Sequence, residues 1–372
     1  MKSFTKTSWL VAVPVVFGMC LSSVSRADDP KPEPDTGGKI TIKGLLDFYY
    51  QYGFNHAPVG AATGGRSFDV KNDAFSFSLA EVNITREPSK KIPIGFTLTG
   101  TVGKTADLVH ATEPGSANTY KYLQQVYGTY VTTGKTPVTI DFGKFVTFLG
   151  LEVIESPSND NYSRSLLFNY AIPFYHAGVR FSAPLTKTVT GGLYIVNGWN
   201  NVEEDNGGKS LGASLSFTPN PKVNLIFNYL GGDESVGAGL PANLNVQLLE
   251  MVGTFNLSPI IKLGANVDYA TASKPGMAGG HWSGQAIYGR YQLQGEKAIA
   301  VRLEHFEDTN GLRTGAAQNI NEATVTFEKS WGASFLSRLE FRHDHAGTNF
   351  FPSGGGGSKT QDTISISGVI KY

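Results

Sequence analysis

Cysteine is almost absent from this chain of 372 residues, in which Cys20 is the single copy. A secreted domain that depends on disulfide bonds for its stability is therefore excluded. Charged residues are also scarce, at 17% against the roughly 25% that is usual in soluble domains. Because Lys and Arg total 31 and Asp and Glu also total 31, the chain lacks the basic excess of a nucleic-acid-binding protein, and we expect no nucleic-acid partner.

Long apolar runs are missing as well. After the N-terminal segment, no stretch reaches the about 18 consecutive apolar residues that a membrane-spanning helix requires. The N-terminal segment carries Lys2 and Lys6, an apolar run over 9–21 and the small-residue stretch 25–27. This order predicts a cleaved secretory signal peptide over residues 1–27 and hence an exported protein.

Glycine and aromatic residues are abundant, with 44 glycines and an aromatic fraction of 12%. From Ile40, apolar residues such as Phe48 alternate with polar residues such as Lys43 and Asp47, which is the period of a β-strand. An exported chain without apolar helices can meet lipid as a closed barrel, with apolar side chains outside and polar ones in a wet lumen. The opposite packing, with the apolar face inside, would fit a soluble sandwich.

The alternation returns along the whole chain and predicts sixteen strands. These segments are 40–54, 74–86, 92–98, 120–132, 138–142, 176–182, 189–195, 211–217, 223–229, 244–257, 261–269, 282–293, 298–306, 319–328, 335–344 and 363–372. Short and long connections alternate strictly between these strands. The long connections are 55–73, 103–119, 148–175, 200–209, 231–243, 272–281, 307–318 and 345–361. Outer-membrane barrels show this sorting into short periplasmic turns and longer outer loops, and a soluble sandwich has no reason to do so.

The C-terminal segment 363–372 is a ten-residue alternating strand that ends on the aromatic residue Tyr372. It looks like the signal by which barrel-assembly machinery recognises outer-membrane proteins, so we expect that machinery and outer-membrane lipid as partners. The predicted fold is all-β, a transmembrane antiparallel up-and-down β-barrel of about 16 strands. It would comprise a signal peptide over 1–27, a flexible lead-in over 28–38 and the barrel over 39–372.

A set of residues in the first half of the chain is informative about its family, and comprises Gly44, Asp47, Tyr49, Tyr50, Asn55, Arg66, 68–69, 77–79, 143–145, 150–152, 161–165, Pro173 and 176–180. This set resembles the OmpL-like β-barrel porin family. Beyond about residue 200, only the strand rhythm and the aromatic ending match. The resemblance implies a porin-like barrel and little about the solute.

The sequence lacks the common hydrolase and zinc motifs, so we expect neither enzymatic activity nor a metal or other cofactor. The segment His343-Asp344-His345 suggests metal binding or a catalytic His/Asp couple. In a strand, however, the two histidines lie on one face and Asp344 on the other, which favours a cluster at the barrel rim. An outer-membrane enzyme, phospholipase-like or protease-like, stays an alternative, as does a surface adhesin or envelope-anchoring barrel.

Charged residues on the predicted inner faces, together with those of the loop 148–175, are candidates for pore-lining or constriction residues. They are Lys43, Asp47, Glu152, Asp160, Arg164, Asp268, Arg302, Glu304, Arg338, Glu340 and Arg342. The loop either enters the lumen, with Arg164 and nearby carboxylates setting ion preference, or caps the barrel mouth.

The predicted function is an outer-membrane porin through which small hydrophilic solutes or ions diffuse passively. About 345 mature residues over sixteen strands give each strand about ten membrane residues plus its connections. Barrels of that size enclose an aqueous channel. Trimers are common among sixteen-stranded porins, so a homotrimer is a further expectation, although no interface signature is visible in the sequence.

Overall fold

A computed structural model describes residues 38–58, 61–240 and 243–372, in which sixteen strands close into an antiparallel barrel. The predicted signal peptide and residues 28–37 of the lead-in lie outside the described residues. The strands of the barrel are β1 Ile40–Gly53, β2 Ala74–Arg86, β3 Ile94–Val102, β4 Leu123–Val131, β5 Thr139–Val146, β6 Tyr175–Pro184, β7 Val189–Val196, β8 Ser210–Asn220, β9 Val223–Glu234, β10 Leu244–Ser258, β11 Ile261–Lys274, β12 Met277–Gln292, β13 Lys297–Asp308, β14 Gln318–Trp331, β15 Phe335–Ala346 and β18 Thr360–Lys371. Two short strands, β16 Phe351–Ser353 and β17 Gly356–Ser358, form a separate hairpin.

Each strand pairs with its neighbours in the sequence, and β18 closes the ring against β1. The closure runs from Leu45 opposite Lys371 to Gly53 opposite Thr363. Beyond it, Gly44 and Tyr372 exchange two backbone hydrogen bonds of 3.0 Å. The predicted transmembrane-type barrel of sixteen strands is confirmed.

Long and short connections lie at opposite ends of the barrel, as the sequence predicts, with one correction. The segment 272–281 is not a long loop, because β11 continues to Lys274 and β12 already begins at Met277. Pro275 and Gly276 form the turn, in which Gly276 has a φ of 79°. Pro followed by Gly is a favoured pair for such a turn, so the polar stretch extends a hairpin instead of interrupting it.

Side chains alternate between the two surfaces of the barrel along most strands. On β1, Asp47 is 1% exposed and lies inside, whereas Phe48 is 44% exposed on the outer surface. The outer surface carries most of the exposed large apolar residues, such as Leu249, Ile287 and Leu339. This is the distribution that a barrel in lipid requires, and it excludes the soluble sandwich with an apolar interior throughout.

The interior is nevertheless not uniformly polar, which corrects the expectation of a wet inner face. Towards the long-loop end, apolar side chains fill part of the lumen, among them Leu230, Leu244, Val246, Leu248, Trp282 and Phe306. Both faces of β10 are therefore apolar over part of its length. This is the reason that segment 244–257 shows only weak alternation.

The barrel wall is uneven in height. Strands β3 to β7 have only 8 to 10 residues each, whereas β10 to β12 have 14 to 16. The loop that joins β3 to β4 contains two short helices, α1 Lys104–Val109 and α2 Ala117–Tyr120. Within the described residues, no helix has the length and apolar character needed to cross a membrane.

Candidate functional site

The connection between β5 and β6, residues 147–174, enters the barrel and is called the inner loop below. It contains a 3-10 turn over Ser156–Ser158 and a π-helical turn over Leu167–Ala171. Its backbone and side chains are hydrogen-bonded to inward-facing residues of β1, β10, β11, β13, β14 and β15. Contacts with strands so far around the ring require the loop to cross the lumen, so it does not cap the mouth from outside.

Two glycines lie where the chain turns from the barrel wall into the lumen. Gly143 on β5 and Gly178 on β6 lie opposite each other, with φ values of 138° and 158°. A Cβ at Gly143 would lie 2.3 Å from a backbone oxygen of β4, so the strands meet at a distance that only glycine allows. Just beyond this point, the consecutive residues Lys144 and Phe145 are both buried, which breaks the alternation and turns the chain inward.

Two carboxylates of the wall bind the backbone of the inner loop. Glu304 on β13 accepts hydrogen bonds from the N–H groups of Leu166 and Leu167, at 2.6 and 2.7 Å. Glu340 on β15 accepts from the N–H groups of Tyr162 and Ser163, at 2.6 and 2.9 Å. Hydrogen bonds to a charged acceptor are about twice as strong as neutral ones. These carboxylate clamps therefore fix two stretches of the loop.

Three arginines of the same wall extend this network. Arg302, which is 0% exposed, pairs with Glu152 of the loop at 2.8 Å and with Glu322 of β14 at 2.9 Å. It also donates to the carbonyl oxygen of Ser163 at 2.7 Å. Arg338 and Arg342 likewise donate to loop carbonyl oxygens and pair with carboxylates of the wall. A buried arginine that satisfies both carboxylates and backbone oxygens anchors the loop strongly.

The predicted aspartates contact the loop or lie beside its anchors. Asp47 accepts hydrogen bonds from Ser156 Oγ at 2.6 Å and from the Tyr162 hydroxyl at 3.0 Å. Asp160 of the loop pairs with Lys262 of β11 at 2.6 Å. Asp268 lies opposite Glu250 in the strand register, and Glu250 accepts a hydrogen bond from the loop backbone at 2.6 Å.

Arg164 has a different environment from the one expected for a constriction residue. It is 2% exposed and donates to the carbonyl oxygens of Val153, Ile154 and Tyr162 within its own loop. Its guanidinium also lies 4.6 Å from the ring centre of Phe68. The hydrogen bonds fold the inner loop onto itself, and the contact with Phe68 joins it to the loop after β1, so Arg164 does not face open space.

A cavity of about 260 Å³ lies between the inner loop and the opposite part of the wall. Strands β10 to β15 bind the inner loop, and we call them the anchoring wall. Most of strands β2 to β9 border the cavity, and we call this part of the barrel the open wall. The open wall contributes mainly uncharged polar residues, which are Asn83, Gln125, Ser214 and Asn228. Of the charged residues predicted from the sequence, Lys43 and Glu152 border this cavity. The uncharged polar residues of the lining could not be predicted, because an isolated Asn, Gln or Ser in a strand carries no distinctive signal.

Charged residues of the open wall are largely engaged with one another. Arg180 pairs with Asp141 at 2.7 Å, and its guanidinium lies 4.6 Å from the ring centre of Phe145. Glu155 of the inner loop accepts a hydrogen bond from Gln124 Nε2 at 2.5 Å.

A buried histidine links the loop that joins β3 to β4 with the open wall. His110 lies just after α1, with Nε2 at 2.6 Å from the Lys144 ammonium and its ring stacked on Tyr175 at 4.8 Å. Burial, followed by the positive charge of Lys144, lowers the pKa of His110 to about 3. The imidazole is therefore neutral at physiological pH and accepts a hydrogen bond from Lys144.

Several loops are joined at the long-loop end of the anchoring wall by Arg313. Arg313 lies 5.6 Å from the ring centre of Trp199 and 5.3 Å from that of Trp282. It donates to the carbonyl oxygens of Tyr170 in the inner loop and Ala238 in the loop after β9. Burial lowers the pKa of Arg313 to about 10, which still leaves it charged near neutral pH. One cation thus connects its own loop to three others, which are the inner loop and the loops after β7 and β9.

The histidine segment on β15 lies at the rim, and its two histidines face the outer surface. His343 is half-buried and pairs with Asp362 of β18 at 2.7 Å, whereas Asp344 is 1% exposed and faces the interior. The wall of the barrel separates His343 from Asp344. These two residues therefore form no catalytic couple.

The comparisons with solved structures give the same architecture. The anion-selective porin from Comamonas acidovorans aligns with a TM-score of 0.62 and 10% identity, covering 90% of this chain and 100% of that one. The outer membrane channel DcaP of Acinetobacter baumannii aligns with a TM-score of 0.61 and 11% identity, covering 90% and 98%. OmpT of Vibrio cholerae, in a trimer form, aligns with a TM-score of 0.58 and 12% identity, covering 90% and 100%. At such identities the likeness is one of fold.

The sequence itself identifies the family. No curated protein matches it significantly. The family model described as "Putative beta-barrel porin-2, OmpL-like" matches residues 39–372, which include every strand of the barrel. The resemblance inferred from the residues between the strands is confirmed, and the chain belongs to this OmpL-like β-barrel porin family.

Proposed function

We propose that this protein is a passive diffusion channel of the outer membrane for small hydrophilic solutes, exported by the signal peptide over residues 1–27. The observation that carries the proposal is the unequal division of the lumen. The inner loop is bound to the anchoring wall, and the cavity of about 260 Å³ lies on the other side, against the open wall. Solutes would pass along the open wall.

The chemistry of the open wall supports this route. Asn83, Gln125, Ser214 and Asn228 present amides and a hydroxyl, which replace part of the hydration of a polar solute without binding it tightly. The charged groups of the anchoring wall, by contrast, bind the inner loop. The inner loop would therefore set the width of the channel, and the open wall would set what the solute contacts.

The experiment is single-channel conductance in a planar bilayer, with the refolded protein and a variant that lacks residues 157–165. This deletion removes the part of the inner loop that contacts Asp47 and Glu340. We expect the parent to conduct and the deletion to conduct several-fold more, because the lumen widens. A matched control shortens the glycine run 354–357, which contains the turn of the β16–β17 hairpin, and should leave conductance unchanged. A folded, inserted parent that never conducts would refute the channel.

The homotrimer stays a prediction that belongs to this proposal. Cross-linking in membranes, followed by separation by mass without heating, measures the oligomeric state directly. A species of three chains would support it, and a single chain at all cross-linker concentrations would contradict it.

A further inference from the structure

Two lysines lie directly opposite each other on the outer surface of the barrel, near the end that carries the short turns. They are Lys297 at the start of β13 and Lys329 near the end of β14, which are partners in the strand register. The next outward-facing pair is Ile299 and Phe327, which are 37% and 40% exposed. Like charges opposite each other on one face of a sheet are destabilising, so an anion beside this pair would remove a cost of folding.

The protein does not supply that anion. Within the part of the chain that the structure describes, neither Lys297 nor Lys329 forms an ion pair. Glu328, which precedes Lys329, faces the interior and pairs with two arginines there. Glu296, which precedes Lys297, accepts a hydrogen bond at 3.3 Å from the backbone of the turn after β14. The counterion of the two lysines therefore has to come from outside the chain.

An aromatic ring holds one of the two lysines in place. The Lys329 Nζ lies 3.5 Å from the ring centre of Trp331, which is a cation–π contact. The indole N–H of Trp331 donates to Ser337 Oγ at 2.9 Å, which fixes the orientation of the ring. Trp331 is 53% exposed on the outer surface. Exposed Trp is typical of the boundary between the apolar core of a bilayer and its headgroups, so the lysines lie at headgroup depth.

Charges on this side of the barrel are sorted along its axis. Over the described residues of β13, β14, β15 and β18, the outward-facing Lys, Arg, Asp and Glu residues are Lys297 and Lys329 near the short turns and Glu307 and Asp362 near the long loops. An apolar band lies between the two pairs, with exposed residues such as Val325. The short-turn end of an outer-membrane barrel is periplasmic, so the two lysines face the periplasmic leaflet.

The turns at this end add a basic excess of their own. The short connections contain Lys90, Lys91, Lys135, Lys187 and Lys222 against Glu87 and Glu296. In the long connections outside the inner loop, basic and acidic residues balance. Lysines close to a bilayer surface attract anionic lipid. The whole periplasmic mouth therefore concentrates the class of ligand that the lysine pair lacks.

We propose that Lys297 and Lys329 form a binding site for the headgroup of an anionic phospholipid in the periplasmic leaflet. The two ammonium groups bind the phosphate, Trp331 positions Lys329, and the acyl chains lie over Ile299 and Phe327. A zwitterionic lipid binds more weakly, because its own cation is repelled by the two lysines. The site does not depend on the proposed channel.

The test uses phosphatidylcholine bilayers that contain increasing amounts of phosphatidylglycerol with brominated acyl chains. The protein is the refolded chain without residues 1–27, which contain Trp9. Bromine quenches the fluorescence of a tryptophan that the lipid touches. Trp331 is exposed to lipid, whereas Trp199 and Trp282 are 1% and 0% exposed and lie in the interior. The quenching curve therefore gives the affinity of phosphatidylglycerol relative to phosphatidylcholine beside Trp331.

We expect phosphatidylglycerol to bind beside Trp331 at least tenfold more tightly than phosphatidylcholine. Lys297→Gln and Lys329→Gln should each lower this preference by about fivefold. Lys222→Gln removes the same charge from the turn after β8, far around the ring, and is the matched control that should leave the preference unchanged. Brominated phosphatidylcholine gives the full quenching of each variant, so a change in the brightness of Trp331 cancels.

The variant Lys297→Gln leaves the contact between Lys329 and Trp331 intact, so its effect reports on the lost charge alone. Equal affinity of the two lipids in the parent would overturn the proposal. Equal losses in Lys297→Gln and Lys222→Gln would also overturn it, because the attraction would then belong to the whole mouth. A preference that inorganic phosphate abolishes at constant ionic strength would assign the lysines to a free anion instead of a lipid.

Discussion

The anchoring wall and the open wall are built from the same alternating strands, yet their inner faces differ in chemistry. The anchoring wall carries buried Arg and Glu side chains such as Arg302 and Glu304, which contact the inner loop. The open wall carries small or neutral side chains such as Ser214 and Asn83, which border the cavity. Charged groups of the anchoring wall therefore position the inner loop, whereas the open wall, where Glu81 and Arg180 are the charged residues beside the cavity, leaves space.

The largest expected effect comes from Arg302→Ala on the anchoring wall. Removing this guanidinium leaves Glu152 and Glu322 without their shared cation, and breaking such a buried pair costs about 3–5 kcal/mol. We expect the inner loop to detach, which denaturant titration and protease cleavage within the loop would measure. Glu307→Ala, on the outer surface, is the control. Unchanged stability and unchanged protease cleavage would show that the charged groups of the anchoring wall do not hold the inner loop.

A bulky residue on the open wall should act on conductance instead of stability. Ser214→Trp places a large ring in the cavity, and we expect single-channel conductance to fall several-fold with little change in unfolding. Ala213→Trp, the neighbouring position, directs the same ring to the outer surface and is the matched control. If both variants conduct like the parent, solutes do not follow the open wall.

Cysteine labelling distinguishes sealed from accessible positions of β1. Lys43 is exposed beside the cavity, whereas Asp47 is covered by Ser156 and Tyr162. We expect a water-soluble reagent to modify Lys43→Cys at least tenfold faster than Asp47→Cys. This corrects the expectation of a wet inner face at Asp47, which the inner loop covers. Deleting 157–165 should abolish the difference, and equal rates in the full chain would contradict the docked loop.

The smallest effect is expected where the two ends of the barrel join. Tyr372 is 89% exposed, and its backbone pairs with Gly44 at the closure. Deleting Tyr372 should lower the amount of heat-modifiable barrel recovered from outer membranes, whereas Tyr372→Phe should not. Full recovery of the deletion would remove the proposed role of the C-terminal residue in assembly.

The strands could be predicted from the sequence because a period of two is a local property. Asp47, Arg302 and Glu340 were placed on inner faces in this way, but their partners were not predictable. Glu340 binds the backbone amides of Tyr162 and Ser163, which precede it by 178 and 177 residues. Every residue except proline has such an amide, so the sequence does not indicate which ones a carboxylate binds. The prediction of a long loop over 272–281 was wrong for a related reason. A hairpin that extends beyond the lipid no longer needs apolar residues, so its strands lose the apolar alternation.

The carboxylate clamps have a consequence for how this protein tolerates mutation. Glu304 and Glu340 bind main-chain N–H groups, which every residue except proline supplies. The side chains at those loop positions are therefore not what the clamps recognise. Substitutions on the side of the loop that faces the cavity can change the chemistry of the cavity while the loop stays docked, so the solute preference of the proposed channel can diverge without a new architecture.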